Sequence, residues 1–234
     1  MSYRCVMEIK YESVVPWGRT FEEYVDMFNL TEVDLDKSIL GCGDGPASFN
    51  YTMKEKGKEI ISIDPIYQFT NDDIAKRIDE TYQDVIEQTE QNKDKFIWTT
   101  IKDVEDLGRI RMSAMEKFLA DYDLGKQENR YLYAMLPNLP FEDKQFDLAL
   151  SSHFLFLYTD NLSLEFHIEA IDEMLRVARE VRIFPLLDLN GVRSLYVDEV
   201  INKYSEIGYS VNEVIVDYEF QKGGNTMLKM AQKR

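Results

Sequence analysis

The stretch Ser38-Ile39-Leu40-Gly41-Cys42-Gly43-Asp44-Gly45-Pro46 constrains this chain more than any other. A short apolar run, enough for one buried strand, passes directly into a turn in which glycines alternate, and a helix follows. Such a turn lets the backbone reverse sharply and leaves no Cβ between it and a ligand. The next apolar run, Ile60-Ile61-Ser62-Ile63-Asp64-Pro65, ends in a carboxylate about twenty residues further on, the separation at which an acid grips ribose hydroxyls. The glycine turn alone would suit a plain structural turn; with the acid it points to a nucleotide-like cofactor.

Details narrow the cofactor. The dinucleotide fingerprint asks for Gly or Ala where Pro46 stands, and no Gly-Lys-Ser/Thr follows the turn as a P-loop requires. The GxGxG spacing followed by Asp64 resembles the class I S-adenosylmethionine-dependent methyltransferases. A second segment, Leu139-Pro140-Phe141-Glu142-Asp143-Lys144-Gln145-Phe146-Asp147-Leu148-Ala149-Leu150-Ser151-Ser152-His153, is similar to that family's fourth strand with its LPF opening and FD pair. The resemblance covers most of residues 38–65 and 130–232. It implies an α/β, Rossmann-like methyltransferase fold: a seven-stranded, mostly parallel sheet of order 3-2-1-4-5-7-6, last strand antiparallel, with helices on both faces. Residues 1–234 would form one such domain, with an N-terminal cap over 1–36 and a helical insertion at about 70–125 between the second and third strands.

The same resemblance implies the cofactor site. Gly41, Cys42, Gly43, Asp44 and Gly45 would cradle the methionine end of S-adenosylmethionine. Asp64 and Pro65 would meet its ribose, Met135 and Leu136 its adenine, and Ser151 the end of the fourth strand; the product would be S-adenosylhomocysteine. Two positions depart from the family. Ile39 stands where an acid usually precedes the first glycine, which leaves Asp44 as the substitute for holding the ammonium group. Met135 stands where an acid often meets the adenine amino group, so the adenine pocket is expected to be apolar.

Composition excludes several classes of partner. A formal charge of −16 over 234 residues argues against docking on nucleic acid or an anionic membrane. Met1 to Val15 has no apolar core suited to a signal peptide, and Phe154-Leu155-Phe156-Leu157-Tyr158 is far too short to span a bilayer. Cys5 and Cys42 form neither a disulfide framework nor a metal-ligand spacing, so no metal is expected and a reducing cytoplasm is the simplest location.

Along the chain, Pro16-Trp17-Gly18-Arg19 reads as loop, and Thr20 with Glu23 forms a capping box ahead of a helix burying Phe21, Tyr24, Val25 and Phe28. Trp17 and Arg19 either touch the acceptor or pack on a neighbouring loop. Thr70 opens an amphipathic helix carrying Ile74, Ile78 and Val85, interrupted by Phe96-Ile97-Trp98. Asp103 opens another with Val104, Leu107, Ile110, Ala114 and Phe118, expected to stop before Gly125. These helices either cover the site or thicken one face of the sheet. The third strand is expected at Tyr131–Met135, the fourth at Phe146–Ser151 and the fifth at Glu180–Phe184. A helix capped by Ser163 would bury Leu164, Ile168, Ile171, Leu175 and Ala178, with His167 as a packing residue at its edge. A helix with Val197, Val200, Ile201 and Tyr204 would stop at Gly208, before a hairpin of Val211–Phe220 and Thr226–Met230.

The sulfonium methyl is already activated, so a protein using it mainly aligns a nucleophile and excludes water. His153, just past the fourth strand at the carboxyl edge of the sheet, is the candidate base, with Tyr158 orienting and Phe154 contacting substrate. Ser151-Ser152-His153-Phe154 stands where amino-methylating nucleic-acid enzymes of this family carry Asn or Asp, two prolines and an aromatic. A small, partly apolar acceptor is therefore expected, and a homodimer is compatible with the sequence. The rival readings are a non-catalytic module that binds S-adenosylmethionine or a nucleotide and acts through a protein partner, and a nicotinamide-dependent oxidoreductase; the closing hairpin disfavours the latter.

Overall fold

The structure, a computed structural model, describes residues 15–233; Cys5 and the first part of the expected cap lie outside the described residues. Thr20 and Glu23 close their capping box at the start of α1 (Phe21–Phe28), and Thr31 with Asp34 closes another at α2 (Glu32–Leu35). The apolar runs then form β1 (Ile39–Cys42) and β2 (Ile60–Ile63) on either side of α3 (Phe49–Glu55). Thr70 caps α4 (Asn71–Gln91), and Asp103 caps α5 (Val104–Gln127), which leads into β3 (Tyr131–Leu132). The second half runs β4 (Phe146–Ser152), α6 (Leu164–Val177), β5 (Ala178–Phe184), α7 (Val197–Glu206), β6 (Tyr209–Ile215) and β7 (Thr226–Gln232).

These strands make a seven-stranded sheet in the order β3-β2-β1-β4-β5-β7-β6. The first five pair in parallel, and β7 runs antiparallel to both β5 and β6. This is the class I methyltransferase fold, the order and polarity expected from the two motifs. Alternation along each strand divides the core between the two faces. Leu40, Cys42, Ile63 and Ala149 face α6 and α7, whereas Ile39, Leu148 and Leu150 face α1 and α3.

Several boundaries differ from the sequence reading. The third strand pairs only through Leu132, and Met135 makes an isolated bridge to Asn138. Helix α5 runs through Gly125 instead of stopping before it. A Cβ on Gly125 would lie 2.4 Å from the Tyr131 ring, so this glycine permits helix–strand contact and does not end the helix. Ala178, placed on a helix by its spacing, opens β5, and β4 continues one residue further, to Ser152. The hairpin strands are offset from the expected ones, leaving residues 216–225 as an irregular connection. That connection stacks Phe220 on Phe96 with ring centroids 4.8 Å apart, joining it to the segment between α4 and α5.

The two helices between β2 and β3 have different places. Helix α5 packs on α3 and β3, as the crossover between neighbouring parallel strands must, while α4 packs chiefly on α5. Within the expected insertion, α4 and the connection after it are the added material.

Candidate cofactor cleft and acceptor chamber

A cavity of about 540 Å³ opens at the carboxyl edge of the sheet and runs from the glycine turn to the underside of α4. At one end the chain leaves β1 through Gly43 and Gly45, whose φ values of +72° and +53° lie in the left-handed region. A Cβ on Gly45 would meet nothing closer than Asp64 Oδ2 at 4.0 Å, so the turn presents bare backbone to the cavity. Asp64, at the end of β2, accepts hydrogen bonds from the Gly45 amide at 2.8 Å and the Ile66 amide at 2.9 Å. The Tyr67 hydroxyl donates to the Gly45 carbonyl at 2.7 Å and holds the other side of the turn.

Asp44 turns inward. Its carboxylate accepts from the Tyr24 hydroxyl at 2.9 Å and the Ser62 hydroxyl at 2.6 Å. Gly41 is required for that placement, because a Cβ there would lie 1.8 Å from Asp44 Oδ2. Burial pushes the Asp44 carboxyl up to about 7 against the pull of its two hydroxyl partners, with the nearby Asp64 charge adding to the rise. Burial likewise pushes Asp64 up to about 6, opposed by its two amide donors. Two acids held near neutrality in a cleft suit a cationic ligand, whose charge would return both to the ionised form.

At the other end the cavity widens into a chamber walled by Val85 and Thr89 of α4, Leu107 of α5, Phe96, Phe220 and Leu189. His153 follows β4 directly, with φ +52° fixed by its amide donating to the Phe184 carbonyl at 2.7 Å. Its Nδ1 lies 2.9 Å from Ser152 Oγ, and its ring stands edge-on to Phe184 and Tyr218. With Nδ1–H donating to Ser152, Nε2 is free to accept a proton. Desolvation, with smaller contributions from Arg19 and Arg111, holds His153 well below the usual histidine range, so it is neutral at physiological pH. Tyr158 shares this wall, and burial raises its phenol.

A buried ionic clasp lies beside the chamber. The Glu23 carboxylate of α1 accepts from both terminal guanidinium nitrogens of Arg111 from α5, the Nη2 contact being 2.6 Å. Tyr218, from the connection between β6 and β7, donates to Glu23 Oε1 at 2.9 Å, and the Thr20 amide donates to Oε2 at 2.9 Å. Burial alone would raise Glu23; the Arg111 charge and hydrogen bonds overcome it and hold Glu23 down at about 2. Arg19 lies close to this clasp. Its Nη1 donates to the Trp17 carbonyl at 3.1 Å, and its buried Nε has no hydrogen-bond partner among the described residues.

The expected site residues divide accordingly. Gly43, Asp44, Gly45, Asp64, Pro65, Met135, Leu136, Trp17, Arg19, His153, Phe154 and Tyr158 all line the cavity. Gly41, Cys42 and Ser151 do not. Cys42 is fully enclosed in the core, and Ser151 is fully buried, its hydroxyl without a hydrogen-bond partner among the described residues, leaving Ser152 at the cavity. Trp17 also packs on the insertion, its ring centroid 5.9 Å from that of Tyr82. His167 is a packing residue, its Nδ1 lying 2.8 Å from the Ser163 carbonyl oxygen and its Nε2 3.0 Å from that of Leu155. Sequence reasoning missed Ser152, Tyr24, Tyr218 and Arg111. Arg111 left a trace, because it interrupts an apolar stripe at Leu107, Ala114 and Phe118, where a helix buries its neighbours.

Among the described residues, no group of three or more His, Cys, Asp or Glu side chains is placed to hold a metal ion, and no helix is long and apolar enough to cross a membrane. No family model matches the chain. Uncharacterized protein MJ0045 of Methanocaldococcus jannaschii is 36% identical over 222 residues, covering 94% of this chain and 97% of that protein. Among solved structures, a SAM-dependent methyltransferase from Aquifex aeolicus is similar at 15% identity and a TM-score of 0.42, over 89% of this chain and 90% of that one. The magnesium protoporphyrin IX methyltransferase of Synechocystis, solved with bound SAM, is similar at 10% identity and a TM-score of 0.44, over 83% of this chain and 69% of that one.

Proposed function

Because this chain belongs to the family of uncharacterized protein MJ0045 and has the class I methyltransferase fold, we propose that it transfers a methyl group from S-adenosylmethionine to a small, partly apolar molecule. The observation that carries this reading is one continuous cavity. It joins a side-chain-free turn and a paired acid at the strand ends to an apolar chamber containing a neutral histidine.

The residues at the first end fit the cofactor. Gly45 leaves room for close backbone approach, Asp64 offers a carboxylate for the ribose, and Met135 and Leu136 give an apolar wall for the adenine. Bound there, S-adenosylmethionine would supply a methyl group already activated on a sulfonium. The chain's own residues would do the rest. Val85, Leu107 and Phe96 exclude water from the chamber, which keeps the acceptor atom desolvated and aligned. His153, kept neutral by burial, accepts the acceptor's proton at Nε2 while Ser152 holds its Nδ1 side. Tyr158 and Phe154 orient the acceptor from the same loop. Proton transfer to a base of depressed pKa suits an acceptor whose own proton is fairly acidic, such as a phenol or a thiol.

Calorimetry with S-adenosylhomocysteine, followed by transfer of labelled methyl into a cell extract, tests the proposal. Saturable binding and a labelled small-molecule product are expected. Absence of binding refutes the cofactor, and tight binding without labelled product supports a non-catalytic binding module instead.

A further inference from the structure

We infer that the methyl acceptor is an apolar molecule bearing a single carboxylate, and that Arg19 anchors that carboxylate beside His153 and Tyr158; this rests on the methyl-transfer reading above. Arg19 lines the cavity, and its backbone is fixed. The backbone before it is pressed on the glycine turn, since a Cβ on Gly18 would lie 2.2 Å from the Pro46 carbonyl oxygen. Its own carbonyl accepts from the Ser48 amide at 3.0 Å. A guanidinium has five N–H donors, yet among the described residues Arg19 makes a single hydrogen bond, to the Trp17 carbonyl, and its buried Nε has no partner. Glu23, the acid whose charge acts on it, is already filled by Arg111, Tyr218 and the Thr20 amide.

The charges around this point do not cancel. Arg19 and Arg111 face one carboxylate, Glu23; Tyr24, Tyr218 and Tyr158 are kept protonated by burial, and His153 is neutral. Among these described groups the local balance is one positive charge, in a protein whose formal charge is −16. A desolvated, unpaired guanidinium is costly, and a ligand anion offsets that cost. Carboxylate geometry matches two parallel N–H donors of the guanidinium fork. A single negative charge balances the site. A phosphate dianion would leave a net negative chamber, continuous with a cofactor end that already holds Asp44 and Asp64. The remaining walls are mainly apolar, Val85, Leu107, Phe96, Phe220 and Leu189 among them, so the rest of the acceptor is mainly apolar too.

The test is calorimetry on the protein loaded with S-adenosylhomocysteine. The probes are acetate, butyrate, octanoate and dodecanoate, each matched with its primary amide and with the alkyl phosphate of equal length. At least one acid is expected to bind about tenfold or more tightly than its amide, a preference lost in Arg19→Gln and partly kept in Arg19→Lys. The inference is overturned if no acid exceeds its amide, if Arg19→Gln keeps the preference, or if the phosphates bind more tightly than the acids. Affinity for S-adenosylhomocysteine is measured separately on each protein. Retained cofactor binding without acid preference removes this inference alone, whereas failure of the native protein to bind the cofactor removes the parent reading and this one together. If Arg19→Gln melts early, Arg19→Lys carries the comparison, and an acid preference in it equal to the native one also counts against the anchor.

Discussion

At Gly43 the backbone conformation and the neighbouring Phe154 ring act together. A side chain there would be strained at φ +72° and would press on Phe154 from 3.1 Å. Gly43→Val is therefore expected to weaken S-adenosylhomocysteine binding by about tenfold or more, by calorimetry, with only modest loss of stability. Asp64→Asn removes a charged acceptor and should cost about 10- to 100-fold in the same assay. It should also remove a pH dependence. Native affinity falls as pH drops through about 6, where Asp64 becomes protonated, and the Asn variant has no such step. His153→Ala is expected to lower turnover by about 10²–10⁴-fold while leaving cofactor affinity nearly unchanged. Because burial keeps His153 neutral, the native rate should show no inflection in the ordinary histidine range, and one near pH 6.5 assigned to His153 by its loss in the variant would contradict its placement.

The glycine turn, the acid at its distance and the capping residues were legible at the level of single elements, because each follows from local geometry. Ser151 was misassigned because strand faces alternate by one residue, and the true end of β4 depends on its pairing with β5. Gly125 was misread as a helix stop because the Tyr131 ring that exploits it arrives from another element. The clasp escaped notice because Glu23 already had a local explanation as a capping residue, and its partner lies 88 positions away. Breaking that clasp has a predictable cost. Arg111→Met strands the Glu23 carboxylate in the interior and should destabilise the protein by about 3–5 kcal/mol, measured by denaturant unfolding. Helix α5 is tied down further by Arg130 on Asp121 at 2.6 Å and by Tyr122 on the Tyr67 carbonyl at 2.9 Å. Helix α4 has no comparable buried ion pair among the described residues. Hydrogen exchange should thus respond to S-adenosylhomocysteine in α4 and residues 92–103, with α5 little changed; equal indifference in both would remove the roof role and favour an assembly surface.

Across the whole molecule, buried acids set opposing pH trends. Asp44 and Asp64 have folded-state values raised above their unfolded ones, so their contribution to stability is full below about pH 4 and is lost as pH rises through about 6 to 7. Glu23 is depressed to about 2, so its contribution is present above about pH 4.5 and is lost as pH falls towards 2. The ligand-free protein should accordingly melt highest in acidic solution, at about pH 4 to 4.5, and lose stability steadily above that. Asp44→Asn should remove a decline on the order of 2–4 kcal/mol between there and pH 8, read from melting curves. An unchanged profile in that variant would show that another group governs the decline. The clasp also carries a temporal meaning. Tyr218 and Glu23 are 195 positions apart, and contacts of such separation form after local ones because the intervening chain must first be ordered. In refolding, most helical signal should therefore return before the protein regains its hold on the cofactor product, and on a ribosome the chamber would stay unsealed until nearly the whole chain had emerged.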